Sequence, residues 1–184
     1  MELHVPVLIE GVRLRLRRSA PADAAATFAV ARDAQVMRYM EWPAPERLAD
    51  TQAFFDGCAA RWQSATEYHW MVERKADSTA IGCIACRIKG HAADFGYFLA
   101  RAHWGQGHAT EAAGLLVSWL RRQRSIVRIG ATTDVDNLAS AAVLLKVGLQ
   151  REGVMRRATV RPNLSSAPRD TLIFATVQLE GASA

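Results

Sequence analysis

Lysine is nearly missing from this chain: Lys75, Lys89 and Lys146 are the only three, so arginine carries almost all the positive charge. Internal repeats and low-complexity tracts are missing too, which sets aside solenoids and disordered linkers. No apolar run approaches the roughly 20 residues a membrane span needs. The opening stretch "MELHVPVLIEGVRLRLRR" has only the short run "VPVLI" and an early Glu2, unlike a secretory signal. The expectation is a soluble, cytoplasmic protein with no membrane partner. Cysteine is scarce, at three residues. Cys83 and Cys86 spell C-x-x-C, yet no second ligand pair accompanies them as a structural zinc site requires. They also lie in "AIGCIACRI", which reads as a strand, where a separation of three sends side chains to opposite faces. No metal is expected. The five histidines are dispersed and no H-E-x-x-H is present.

What the chain does have is ordinary globular composition: 184 residues, half of them apolar and 22% charged. That predicts a single domain over 1–184, with 1–8 and 180–184 frayed. The net charge of +5 would suit an anionic partner. The arginines are scattered, however, and the densest group, "RRQR" at 121–124, closes a predicted helix, where cations favour the dipole. A solvated basic surface explains them. An RNA-associated protein is the competing reading, but no recognition motif accompanies the charge.

Along the chain, "VRLRLR" (12–17) alternates like a strand with one buried face. "PADAAATFAVARD" (21–33) and a stretch from about 45 to 64 read as helices, separated by the aromatic, proline-broken loop "MRYMEWPAP". "YHWMVER" (68–74), "AIGCIACRI" (80–88) and "DFGYFLA" (94–100) predict an antiparallel meander. A helix over 109–123, a strand over 126–133 and a helix over 137–148 follow; Gly148 suits the last helix end. "LQREGVMRRATV" (149–160), a loop over 161–170 and "TLIFATVQL" (171–179) predict a hairpin. The fold class is mixed α/β, with helices on both faces and one parallel crossover, residues 94–133.

Within that crossover, "HWGQGHATEA" (103–112) sets Gly105 and Gly107 directly before a helix. Glycine there weakens the local structure, so the pair suggests that something needs bare backbone. Unpaired N–H groups and a partial positive charge make a helix start an anion site. A P-loop is excluded, because no G-K-[ST] follows. The dinucleotide fingerprint matches only its first two glycines, Thr110 standing at the third, and an antiparallel meander precedes it. A simple tight turn remains open. "DFGYFLARAHWGQGHATEA" (94–112) closely resembles the acetyl-CoA-binding segment of the GNAT superfamily of N-acetyltransferases, in its RimJ/RimL-like branch. The pattern Q/R-x-x-G-x-G/A falls on Trp104 to Ala109, with Trp at the first place. "NLASAAVLLKVGLQREG" (137–153) resembles the branch's N-x-x-S…K-x-G-F…E-G segment, with Leu149 in place of Phe.

The resemblance, which runs from about Val12 to Val177, implies a mostly antiparallel, centrally splayed sheet whose last meander strand carries a bulge. It implies acetyl-CoA as cosubstrate and direct attack of a primary amine, on a protein N-terminus or a small molecule. Carried onto this sequence, it assigns the pyrophosphate to Gln106, Gly107, His108, Ala109 and Thr110, beside Trp104 and Gly105. Leu99, with Ala100 next to it, would supply the N–H that polarises the thioester. Many relatives carry an acidic Tyr where this chain has Leu144, which leaves Ser140 as candidate acid, or simply as a serine bonding backbone. Asn137 would touch the pantetheine or cap its helix. Lys146 would meet the 3′-phosphate or only favour the dipole. Asp94 is the candidate base, followed by Glu41 and His69. Tyr39, Glu41, Trp42 and Asp94 are candidates for the acceptor pocket. Relatives often form homodimers. The competing reading of the same fold is an acyl-CoA sensor or scaffold without turnover.

Overall fold

The computed structural model of the chain describes residues 3–178. Strands β1 (Leu8–Glu10) and β2 (Leu14–Arg18) form an antiparallel ribbon. A 3-10 turn at Pro21–Asp23 enters α1 (Ala24–Ala31), followed by α2 (Ala34–Met37) and α3 (Leu48–Gln63). The meander is β3 (Tyr68–Arg74), β4 (Ala80–Lys89) and β5 (Ala92–Leu99). Then come α4 (His108–Arg121), β6 (Arg128–Asp134), α5 (Leu138–Lys146) and the hairpin β7 (Gln150–Arg161) with β8 (Ser165–Val177). All eight strands join one sheet in the order β1-β2-β3-β4-β5-β6-β8-β7, and only β5 and β6 run parallel. This is the expected mixed α/β class.

Strand alternation sorts the core between the two faces. Leu14, Leu16, Trp70, Ile84 and Phe95 pack with Ala113, Leu116 and Leu120 of α4 and Leu144 of α5. On the other face Met71 and Cys83 meet Phe55 and Cys58 of α3. Each such large apolar side chain contributes about 1.5–3 kcal/mol by leaving water. Cys83 and Cys86 fall in these two separate clusters, as a strand separation of three requires. Burial lifts the Cys83 thiol to about 12 and pushes Cys86 up as well, which makes both inert at neutral pH.

The sheet is two blocks joined by a short seam. β5 and β6 pair only at Ala92↔Arg128, Ala93↔Ile129 and Asp94↔Gly130. Beyond these, Phe95–Leu99 and Ala131–Asp134 diverge, while each strand keeps its outer neighbour. The expected bulge in β5 is not what opens the gap. β5 runs in unbroken register with β4 from Ala92 to Leu99, and the shift in the meander lies between Val72 and Glu73 of β3.

Two further expectations need correction. Residues 3–8, expected frayed, are held: Trp70 Nε1 donates to Pro6 O at 3.0 Å, Arg18 N–H donates to Val7 O at 2.7 Å, and Val5 is buried. The expected loop 161–170 is mostly strand, with only 162–164 as the tip. Pro168 is tolerated there because β6 pairs with β8 only from Thr171 onward, so this part of β8 has one neighbour. Met1, Glu2 and the expected frayed tail 180–184, with Leu179, lie outside the described residues.

Candidate active site

Gly105 and Gly107 both take left-handed backbone, at φ +71° and +78°. That conformation favours glycine, and Gly107 holds it as the residue that caps α4. The first backbone bond at this end runs from Glu111 N–H to Gly107 O, 3.0 Å. Among the described residues, the amides of Gly105 to Thr110 therefore have no acceptor. Sequence reasoning missed what holds this loop. Arg13 and Leu14 donate their N–H groups to Glu111 Oε1, Arg13 Nε donates to Glu111 Oε2 at 2.7 Å, and Arg13 Nη1 donates to Gln106 O at 2.9 Å. A carboxylate in the first turn of a helix also complements its dipole, the only signal the sequence offered.

The loop opens onto a cleft of about 1140 Å³ that fills the seam between β5 and β6. Trp104, Gly105, Gly107, His108, Ala109 and Thr110 line it, whereas Ala100 and Gln106 stand just outside. Gln106 turns its side chain back to Ala102 O at 2.8 Å. Ala100 N–H reaches across to Ile81 O, so alternation turns the main-chain groups of Leu99 to the opposite, open edge of β5. Leu99 O does face that edge, accepting from Trp104 Nε1 at 2.8 Å.

α5 forms the other wall. Asn137 caps it, its Oδ1 accepting from Ser140 N–H at 3.1 Å. The Ser140 hydroxyl does not bond backbone; its partner is the Tyr97 phenol at 3.3 Å, reaching from β5 across the seam. Leu144 is buried in the core and offers nothing polar, but Tyr97 supplies the phenol that position lacks. Burial pushes the Tyr97 hydroxyl up, against the opposing hydrogen bond to Ser140, so it stays protonated. Lys146 borders the cleft and, with Thr110, a second hollow of about 360 Å³ between α4 and α5.

On the face of α1 to α3, Asp94 lines the cleft and is half exposed, with Arg87 Nε and Nη2 donating to it at 3.0 and 2.6 Å. Tyr39, Glu41 and Trp42 line the same end. Their loop is held by the hairpin tip: Asn163 Nδ2 donates to Met37 O and Trp42 O, and its Oδ1 accepts from Ala44 N–H, each at 2.8 Å. Arg161, which sequence reasoning passed over, also lines the cleft and meets Glu41 Oε1 at 3.0 Å. His69 is not part of this site. It is buried against Phe54 and Phe55 of α3, and burial lowers its pKa to about 4.

No three His, Cys, Asp or Glu side chains among the described residues gather as metal ligands. No described helix is long and apolar enough to cross a membrane. Residues 13–150 match the family described as Acetyltransferase (GNAT) domain. The chain is 32% identical over 174 residues to the uncharacterized N-acetyltransferase YoaA of Bacillus subtilis, covering 93% of this chain and 97% of that one. Among solved structures, Mycobacterium smegmatis RimJ in complex with CoA-disulfide superposes with a TM-score of 0.84 at 22% identity, covering 96% of this chain and 90% of that one. RimL, the ribosomal L7/L12 α-N-protein acetyltransferase in complex with coenzyme A, gives 0.83 at 21%, covering 92% and 97%. Family match, full-length relative and splayed cleft agree: the chain belongs to the GNAT acetyltransferases and is an N-acetyltransferase that uses acetyl-CoA.

Proposed function

We propose that this enzyme moves the acetyl group to a primary amine, on a protein N-terminus or a small molecule, by direct attack in the β5–β6 seam. The observation that carries the reading is the row of unpartnered amides from Gly105 to Thr110 at the mouth of the cleft. Two phosphates of acetyl-CoA bind there, on the positive end of α4. Lys146 meets the 3′-phosphate, and the pantetheine arm adds along the open edge of β5 like a further strand. The acceptor enters from the opposite face, between Tyr39 and Trp42. Asp94, acting through water, takes a proton from the substrate ammonium. The neutral amine then attacks the thioester carbonyl, whose developing oxyanion is met by the Leu99 N–H. As the tetrahedral intermediate collapses, the C–S bond breaks and Ser140 gives its proton to the thiolate while drawing on Tyr97 behind it. The second proton of the attacking nitrogen passes to water, which returns a proton to Tyr97. Holding both reactants in one cleft can supply up to about 7–11 kcal/mol of the barrier reduction.

Thermal stabilisation by acetyl-CoA tests the site. A hundredfold excess over Kd stabilises the native protein by about 2.7 kcal/mol. In Gly107→Asp, which sets a negative charge among the amides, the shift should almost vanish; an undiminished shift would refute the assignment.

A further inference from the structure

Arg161 is over-provided with donors for the partners it has. The residue is 3% exposed, and a guanidinium keeps its charge in any protein setting. Only Nη1 is engaged, by Glu41 Oε1 at 3.0 Å, while Nε and Nη2 are buried without a partner. Glu41 is a loose counter-ion: it belongs to the loop between α2 and α3, and its side chain is 48% exposed. Asp134, whose carboxylate also feels the charge of Arg161, is already gripped by Arg169 through Nε at 2.7 Å and Nη2 at 2.9 Å. Holding the loop over 37–44 explains only Nη1: Asn163 makes three further bonds to that loop, and neither Nε nor Nη2 of Arg161 takes part. A buried cation with two orphaned donors is costly. The free Nε–Nη2 edge is the fork that binds a planar or tetrahedral oxyanion through two parallel hydrogen bonds.

We propose that Arg161 anchors an oxyanion, carboxylate or phosphate, carried by the acceptor amine itself. The inference rests on the transferase reading above and narrows its acceptor to small amines with an acidic group. Arg161 stands at the acceptor end of the cleft, where Tyr39, Glu41 and Trp42 also form the lining. The Glu41 carboxylate occupies one corner of the guanidinium and models the chemistry expected there. Nε and Nη2 are closed to solvent in this structure, so the packing around them opens as the acceptor's anion docks. A neutral amine would leave the fork unpaired, and the site discriminates against it on that account.

The test uses matched pairs on the full chain: amino acids against their carboxamides, and aminoalkyl phosphates against the parent amino alcohols. CoA release should favour the oxyanion-bearing member by at least about tenfold in kcat/KM, and whichever pair shows the larger ratio identifies the anion. Arg161→Gln should erase the preference by raising KM for the anionic member alone. Acetyl-CoA thermal stabilisation serves as its folding control. Should Gln at this position fail to fold, Arg161→Lys keeps the charge without the fork and should keep only part of the preference. Equal rates within the pairs, or a preference undiminished in a folded variant, overturn the proposal. Titration calorimetry of desamino acids and alkyl phosphates into the CoA-loaded protein reads Arg161 without turnover. Binding lost in the variant supports the anchor, and equal binding by both proteins overturns it. If no amine releases CoA at all, it is the acceptor reading that fails, and the calorimetry still decides Arg161.

Discussion

The hydroxyl of Ser140 is a weak acid by itself, and the phenol 3.3 Å behind it changes what it can do. In the proposed reaction Tyr97 refills Ser140 as the departing thiolate is protonated, so the alkoxide never has to stand alone. A thiol pKa near about 8.5 makes thiolate a fair leaving group, which keeps the benefit at the low end of general-acid effects. Ser140→Ala should lower kcat roughly a hundredfold with the KM for acetyl-CoA nearly unchanged. Tyr97→Phe, which keeps the ring, should lose less. Steady-state kinetics on both variants checks this, and a Ser140→Ala enzyme with full kcat would remove the acid role. The pairing could not be read from the chain, because it joins residues 97 and 140 across a gap that only the diverging strands create. Ser140 itself was identifiable only through the 137–153 segment's resemblance to the family.

The β7–β8 hairpin shows how an element acquires a role at its tip. Pro162, Asn163, two serines and Pro168 look like one long loop, since turn formers dominate the stretch. Tertiary pairing overrides them: β8 starts at Ser165, and Asn163 is carried far enough to clamp the loop that bears Tyr39 and Trp42. Asn163→Ala removes all three side-chain bonds and should cost about 1–3 kcal/mol of stability. It should also raise the KM for the acceptor while acetyl-CoA affinity holds, which separates the two ends of the cleft by titration calorimetry. A change in acetyl-CoA affinity instead would place the clamp in the wrong half of the site. The helix α4 needed no such help from afar to be recognised, because its apolar face and its glycines are contiguous in sequence.

The molecule as a whole is fastened by ion pairs, which is where much of its arginine goes. Arg17 bridges Asp23 and Glu73, and Arg15 adds to Glu73, across β2, β3 and the turn before α1. Desolvation raises the pKa values of Asp23 and Glu73, but the arginine hydrogen bonds outweigh it and hold both below the usual carboxylate range. Carboxylates lowered in the folded state stabilise it above their unfolded pKa, about 3.9–4.3, and that contribution fades as pH falls through the folded values. The melting temperature should therefore fall steeply below about pH 4. Glu73→Gln should melt lower at neutral pH, with a shallower acid slope, because a buried pair has lost one partner. Calorimetric scans from pH 7 to 3 check this, and parallel curves for both proteins would count against it.

Local order was written into the chain: the alternation of 12–17, the β3–β5 meander, the apolar stripe of α4 and the glycine loop each depend on residues close in sequence. Two segments that resemble known relatives then pointed to acetyl-CoA. The opening of the seam, the Tyr97–Ser140 pair, the Arg13–Glu111 brace and the buried Arg161 all depend on contacts between distant strands and loops. No local pattern encodes such contacts, because each exists only once the two halves of the sheet have been set apart and packed.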